Sequence, residues 1–113
     1  MQMQNYERQA LKTLATDHGM QDLTAKDMAQ VLGLVGEAGE VAELMKKQIR
    51  DKNGEITPDF MNNLEKELGD VLYYVTSLGH CFGLHLDQIA GTNINKLTLR
   101  AQRGTLKGNG DDR

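Results

Sequence analysis

Between Leu34 and Glu43 the chain reads Leu-Val-Gly-Glu-Ala-Gly-Glu-Val-Ala-Glu, placing acids at every third position of an otherwise apolar helical pattern. A plain surface helix has no use for such a stretch. Charges belong on a solvated face, and glycine costs about 1 kcal/mol relative to alanine in a helix interior. Gly36 and Gly39, set beside Glu37 and Glu40, therefore call for close backbone approach by another element.

The surrounding pattern is helical throughout. Tyr6, Ala10, Thr13 and Leu14 give a short amphipathic helix over 4–16, with Asp17-His18-Gly19 as its stop signal. A long second helix starts at an N-cap, Thr24 or Asp22, and carries Met28, Val31, Leu34, Val35, Ala38, Val41, Ala42, Met45 and Ile49 on one broad stripe. Loop residues 51–55 break it. Thr57-Pro58-Asp59 then supplies a cap, a first-turn proline and a first-turn acid for a third helix. That helix carries Met61, Leu64, Leu68, Val71, Leu72, Val75, Leu78 and Phe82, and ends among the small residues of 79–83. A fourth, from Leu86 to about Arg103, has Ile89, Ala90, Ile94 and Leu97 at helical spacing. No alternating strand pattern competes. The expectation is one all-α domain over 1–103, a four-helix bundle, followed by a Gly-rich tail with mixed charge over 104–113.

Composition narrows the function classes. A net charge of -3 leaves no clustered basic excess of the kind a nucleic-acid or membrane surface requires, so neither partner is expected. The longest apolar run, Val71 to Val75, is far too short to span a bilayer, and Met1-Gln2-Met3-Gln4-Asn5 lacks a basic region followed by an apolar run, so a soluble, unexported protein is expected. The single cysteine, Cys81, fits a reducing cytoplasm and is expected to be an inert packing residue. At 113 residues, the domain would gain considerably from association with a second copy.

Placing residues at about 100° intervals puts Glu37 and Glu40 on one flank of the second helix's stripe, followed by Leu44. The third helix repeats the arrangement with Glu67, Asp70 and Tyr74. A short loop makes the two helices antiparallel neighbours, so the flanks can face each other and bring four carboxylates into one cleft. Such charges need either raised pKa values or a cation, and oxygen-only ligation favours a hard ion such as Mg²⁺, which suits a phosphate-handling site. A di-iron bundle would want Glu-x-x-His twice, and Ser77 and Phe82 stand where its acids would precede His80 and His85. His18, His80 and His85 are read as loop or packing residues.

The segment Gly33-Leu34-Val35-Gly36-Glu37-Ala38-Gly39-Glu40-Val41-Ala42-Glu43, followed by Glu67-Leu68-Gly69-Asp70-Val71-Leu72-Tyr73-Tyr74, strongly resembles the MazG-like nucleotide pyrophosphohydrolases. That family's signature is ExxE, a spacer, then ExxD. Asn93-Ile94-Asn95-Lys96-Leu97-Thr98-Leu99-Arg100 is similar to its fourth-helix segment, so the resemblance runs from about Tyr6 to Arg100. It implies an all-α fold that forms a tight homodimer or a dimer of dimers through its helices. It also implies Mg²⁺, with Mn²⁺ as the alternative, held by Glu37, Glu40, Glu67 and Asp70 as metal-binding and catalytic residues. The implied reaction converts a nucleoside triphosphate, ribo or deoxy, to its monophosphate and pyrophosphate, as nucleotide-pool housekeeping.

By the same resemblance Tyr74 would contact the substrate near the metals, with Lys47, Asn93, Lys96 and Arg100 as further substrate-binding residues. Tyr6 and Tyr73 are the candidates for stacking on the base. Arg100, Arg103 and Lys107 recur along one helical edge, so Lys107-Gly108-Asn109-Gly110 could fold over phosphates; the bland alternative is a frayed tail. The competing reading of the whole chain is a catalytically silent helical dimerisation or nucleotide-binding regulatory module.

Overall fold

The computed structural model describes residues 1–14 and 22–112, and among them the fold is all α, with no strand. Four helices follow in order: α1 (Met3–Leu11), α2 (Ala25–Lys52), α3 (Pro58–Cys81) and α4 (Leu86–Arg103). The first helix is shorter than the 4–16 expected, because Lys12 already caps it. The stop signal Asp17-His18-Gly19 lies outside the described residues.

The helix ends are set by local chemistry. Thr24 caps α2 in a reciprocal box: the Asp27 N–H donates to its hydroxyl (3.3 Å), and its own N–H donates to the Asp27 carboxylate (2.8 Å). At the other end Asn53 and Gly54 adopt left-handed backbone (φ 54° and 75°), and the Gly54 N–H returns to the Gln48 carbonyl at 3.0 Å. Thr57 then caps α3 by accepting from the Phe60 N–H at 3.1 Å, with Pro58 in the first turn. Between α3 and α4, Gly83 (φ 70°) turns the chain, and the Leu84 N–H closes the loop on the Gly79 carbonyl at 2.8 Å. Phe82, expected on the α3 stripe, is instead the C-cap of that helix.

Folding brings α2 and α3 together as an antiparallel hairpin. The buried and half-buried positions along α2 include Asp27, Gln30, Gly33, Leu34, Glu37, Val41, Leu44 and Gln48, the 3-and-4 spacing of a seam on α3. The α3 seam is Phe60, Leu64, Glu67, Val71, Tyr74, Ser77 and Cys81. This corrects the sequence expectation for α2. Much of its apolar stripe, Met28, Val31, Val35, Met45 and Ile49, stays exposed about a third of a turn round from the seam. The helix carries two apolar faces, and hydropathy alone merges them into one.

Among the described residues α1 packs on α3 and α4, while α4 packs on α1 and α3 but not on α2. Glu7 of α1 ties these parts together by accepting from the Leu86 N–H (2.6 Å), at the start of α4, where a negative charge favours the helix dipole. The protomer is open. Its radius of gyration, 16.9 Å, exceeds the roughly 13 Å of a compact chain of this length. Among the described residues the buried apolar side chains are few: Phe60, Cys81 and Leu86. Burial and the nearby Asp27 charge push the Cys81 thiol up, keeping it a protonated packing group. No helix of the described residues is long and apolar enough to cross a membrane.

Candidate metal centre

Midway along the hairpin the seam changes character. Where its spacing would put apolar side chains, α2 supplies Glu37 and α3 supplies Glu67, with Asp70 one turn further. Carboxylate oxygens of Glu37, Glu67 and Asp70 all lie within 4.8 Å of one another. Glu37 and Glu67 are half-buried, whereas Asp70 opens to solvent. Partial burial, then the charges of Asp70, Glu67 and Glu40, push the Glu37 carboxyl above its ordinary value. Those influences all act in one sense, against the charged form of Glu37.

This donor set fits a hard divalent cation. It offers only oxygens, from opposite sides of a rigid hairpin, with one edge open to water and to a further ligand. Glu40 lies exposed one turn beyond Glu37, outside the tight trio, and adds to the local field. The sequence pattern treats the two ExxE and ExxD pairs as equivalent. Seam geometry distinguishes them, because residues three apart sit about 60° apart and only one of the α2 acids can face α3 squarely.

Tyr74 stands one turn after Asp70, and its ring lies against the backbone of Gly33, one turn before Glu37. Tyr73 packs edge-on against Tyr74, ring centroids 5.2 Å apart, and the Thr13 hydroxyl donates to its phenol oxygen at 3.0 Å. Tyr6 of α1 feels the same centre: burial, then Tyr73 and Asp70, raise its phenol pKa. One turn further from the acids, the Ser77 hydroxyl donates to Gln30 at 2.6 Å, closing the seam. Gly33 and Thr13 were not among the residues picked out from sequence as functional. Their signal, a small residue one turn from an acid and a threonine at the end of α1, has meaning only once the hairpin register is known.

The glycines that the sequence marks for close packing behave differently. A Cβ added at Gly36, Gly39 or Gly69 would meet nothing within 4 Å, which corrects that expectation for the protomer. Close approach occurs at Gly33 and at Gly79, where Ile89 and the Leu84 carbonyl crowd the position.

The basic candidates lie elsewhere in the protomer. Lys47 pairs with Glu43 (3.8 Å) on the solvated side of α2, beside Lys46–Glu43 at 3.0 Å. Asn93 and Lys96 line a groove of about 500 Å³ along α4 with Leu84, Gln88, Ile89 and Thr92. Arg100 is buried, because the tail turns back over α4 through Gly104, Gly108 and Gly110, all at positive φ. Its guanidinium donates to the Asp111 carbonyl (2.8 Å) and carboxylate (3.2 Å), and Lys96 reaches the same carboxylate at 2.9 Å. Hydrogen bonds from Lys96 and Arg100 hold the Asp111 carboxyl below its usual range. Lys107 remains exposed. Of the histidines, His80 is exposed, His85 is exposed with Nδ1 at 3.1 Å from Glu7, and His18 lies outside the described residues.

The fold and site together define an all-α helical protein with an oxygen-only acidic cluster at the middle of a helical hairpin. Comparison with known proteins makes the class specific. The family model for the MazG nucleotide pyrophosphohydrolase domain matches residues 26–105, from the start of α2 to just beyond α4, and the chain belongs to that family. Gene 37 protein of Mycobacterium phage L5 is similar, with 46% identity over 82 residues, 73% of this chain and 72% of its own length. No solved structure matches the chain.

Proposed function

We propose that the protein is a Mg²⁺-dependent nucleoside triphosphate pyrophosphohydrolase, with Mn²⁺ able to replace Mg²⁺. Water attacks within the triphosphate, the bridge between the α and β phosphorus atoms breaks, and the nucleoside monophosphate and pyrophosphate leave. The observation that carries this reading is the trio Glu37, Glu67 and Asp70, compressed to within 4.8 Å in a family of nucleotide pyrophosphohydrolases. Glu37, Glu67 and Asp70 would hold the cation, and Glu40 would complete the set from its exposed position. A divalent ion bound there supplies Lewis acidity toward phosphate oxygens and toward water. The chain's own part is to fix the oxygens, keep one edge open at Asp70, and bring Tyr74 against the substrate.

In this reading Lys96 and Arg100, with Asn93 and Lys107, meet phosphate oxygens, so the Asp111 carboxylate has to give way to polyphosphate. Lys47 would lend charge from the α2 surface. Housekeeping of the nucleotide pool in the cytoplasm follows as the cellular role, and the lone buried thiol of Cys81 is compatible with a reducing compartment. The test is incubation with a panel of ribo- and deoxynucleoside triphosphates and Mg²⁺, with products resolved by ³¹P NMR. Pyrophosphate and monophosphate are expected; orthophosphate and diphosphate, or tight nucleotide binding with no product, would overturn the assignment, the latter in favour of a silent regulatory module.

The same reading includes a second copy of the chain on the exposed face of Met28, Val35 and Ile49, which continues over Met61 and Leu68 of α3. An apolar face of this extent on an open protomer supports a homodimer or a dimer of dimers. Sedimentation equilibrium decides it: Val35→Asp is expected to yield a monomer, and a wild-type monomer would contradict the proposal.

A further inference from the structure

We propose that Gly33 is a positioning residue for the active site: its missing side chain is the notch that seats Tyr74 beside the carboxylates. This rests on the proposed role of Tyr74 in contacting substrate. A Cβ at Gly33 would fall 2.6 Å from Cζ and 2.7 Å from Cδ1 of the Tyr74 ring, with Cε1 nearer still. Ring carbons cannot tolerate that approach, and rotamer freedom for a packed tyrosine is small. The ring therefore crosses the seam over bare backbone.

The surroundings leave it little room to retreat. Tyr73 packs perpendicular to it at 5.2 Å and is itself held by the Thr13 hydroxyl. The Gln30–Ser77 hydrogen bond (2.6 Å) locks the next level of the hairpin. Gly33 lies one turn before Glu37, and Tyr74 one turn after Asp70, so on antiparallel helices both stand at the same end of the acid cluster. A ring displaced from the Gly33 notch loses the position in which the hairpin holds it, one turn from Asp70. A methyl at position 33 meets the Tyr74 ring and no carboxylate, so its first effect falls on the placement of Tyr74.

The experiment is steady-state kinetics of Gly33→Ala on the best nucleotide, with Mn²⁺ binding followed by EPR. The expected result is a KM raised about tenfold or more, kcat changed by less than about threefold, and Mn²⁺ affinity within about threefold, the pattern of a misplaced binding group. A variant with wild-type KM overturns the inference, as does one whose only change is a lower thermal midpoint. Should Gly33→Ala fail to fold, Gly33→Ala/Tyr74→Leu is expected to recover the fold, since the clash goes with the ring. Failure of that double variant also overturns the inference. A wild type that turns over no nucleotide defeats the underlying reading and this inference together, whereas an active wild type with an indifferent Gly33→Ala defeats this inference alone.

Discussion

Glu37 of α2 faces Asp70 of α3 across the hairpin seam, their carboxylate oxygens no more than 4.8 Å apart, and burial and three neighbouring acids raise the Glu37 pKa. Without a cation, this arrangement works against the hairpin that creates it. Glu37→Gln is therefore expected to raise the thermal midpoint of the metal-free protein and to diminish the increase that Mg²⁺ produces. Differential scanning calorimetry with and without EDTA reads both effects. A midpoint that falls in the metal-free variant would show that the cluster is not repulsive.

Asp111 titrates in the opposite sense. Its carboxyl is held low by Lys96 and Arg100, so tail docking is at full strength above the ordinary aspartate value of about 3.9 and is lost as pH falls through the depressed one. Between neutral pH and about 5 the tail should stay docked. Hydrogen exchange at residues 104–112 is expected to be flat over that range and to accelerate only in stronger acid. Asp111→Asn should release the tail already at neutral pH, seen as faster tryptic cleavage after Arg103 and Lys107. Unchanged cleavage would mean that the ion pair does not hold the segment.

Gly36 and Gly39 stand in open space in the protomer, so alanine at either is expected to stabilise by about 0.5–1 kcal/mol in urea unfolding. A loss of stability at either position would contradict this and place the glycine under the second copy proposed on the Met28 and Val35 face.

Thr57 accepts from the Phe60 N–H and starts the helix that carries Glu67 and Asp70. Thr57→Ala should cost about 1 kcal/mol of stability. Folded at low temperature, the variant should keep its kinetics, because the cap lies more than two turns from the acids. A change in KM at full folding would tie the hairpin end to the site.

Much of the fold could be read from caps and punctuation. Thr24, Thr57-Pro58, Asn53-Gly54 and Gly104 are local devices whose chemistry does not depend on tertiary structure, and both ends of α2, the start of α3 and the end of α4 fall on them. The acids were legible too, as charges where a seam should be apolar. Register was not. Whether Glu37 or Glu40 turns inward depends on which of two apolar faces of α2 meets α3, and a hydropathy pattern that includes Val35 and Ile49 alongside Leu34 and Val41 leaves that choice to packing. The Asp111 bond to Arg100 was hidden for a different reason: it joins a helix to a glycine-rich tail whose path depends on backbone angles that composition does not encode.

The central claim, that Glu37, Glu67 and Asp70 form a divalent-cation site serving nucleotide hydrolysis, is tested most directly by Mn²⁺ titration followed by EPR in wild type, Glu67→Gln and Asp70→Asn. The account predicts saturable binding in wild type and affinity weakened about tenfold or more in each variant, since each loses a charged oxygen ligand. Equal Mn²⁺ affinity in all three folded proteins would contradict it.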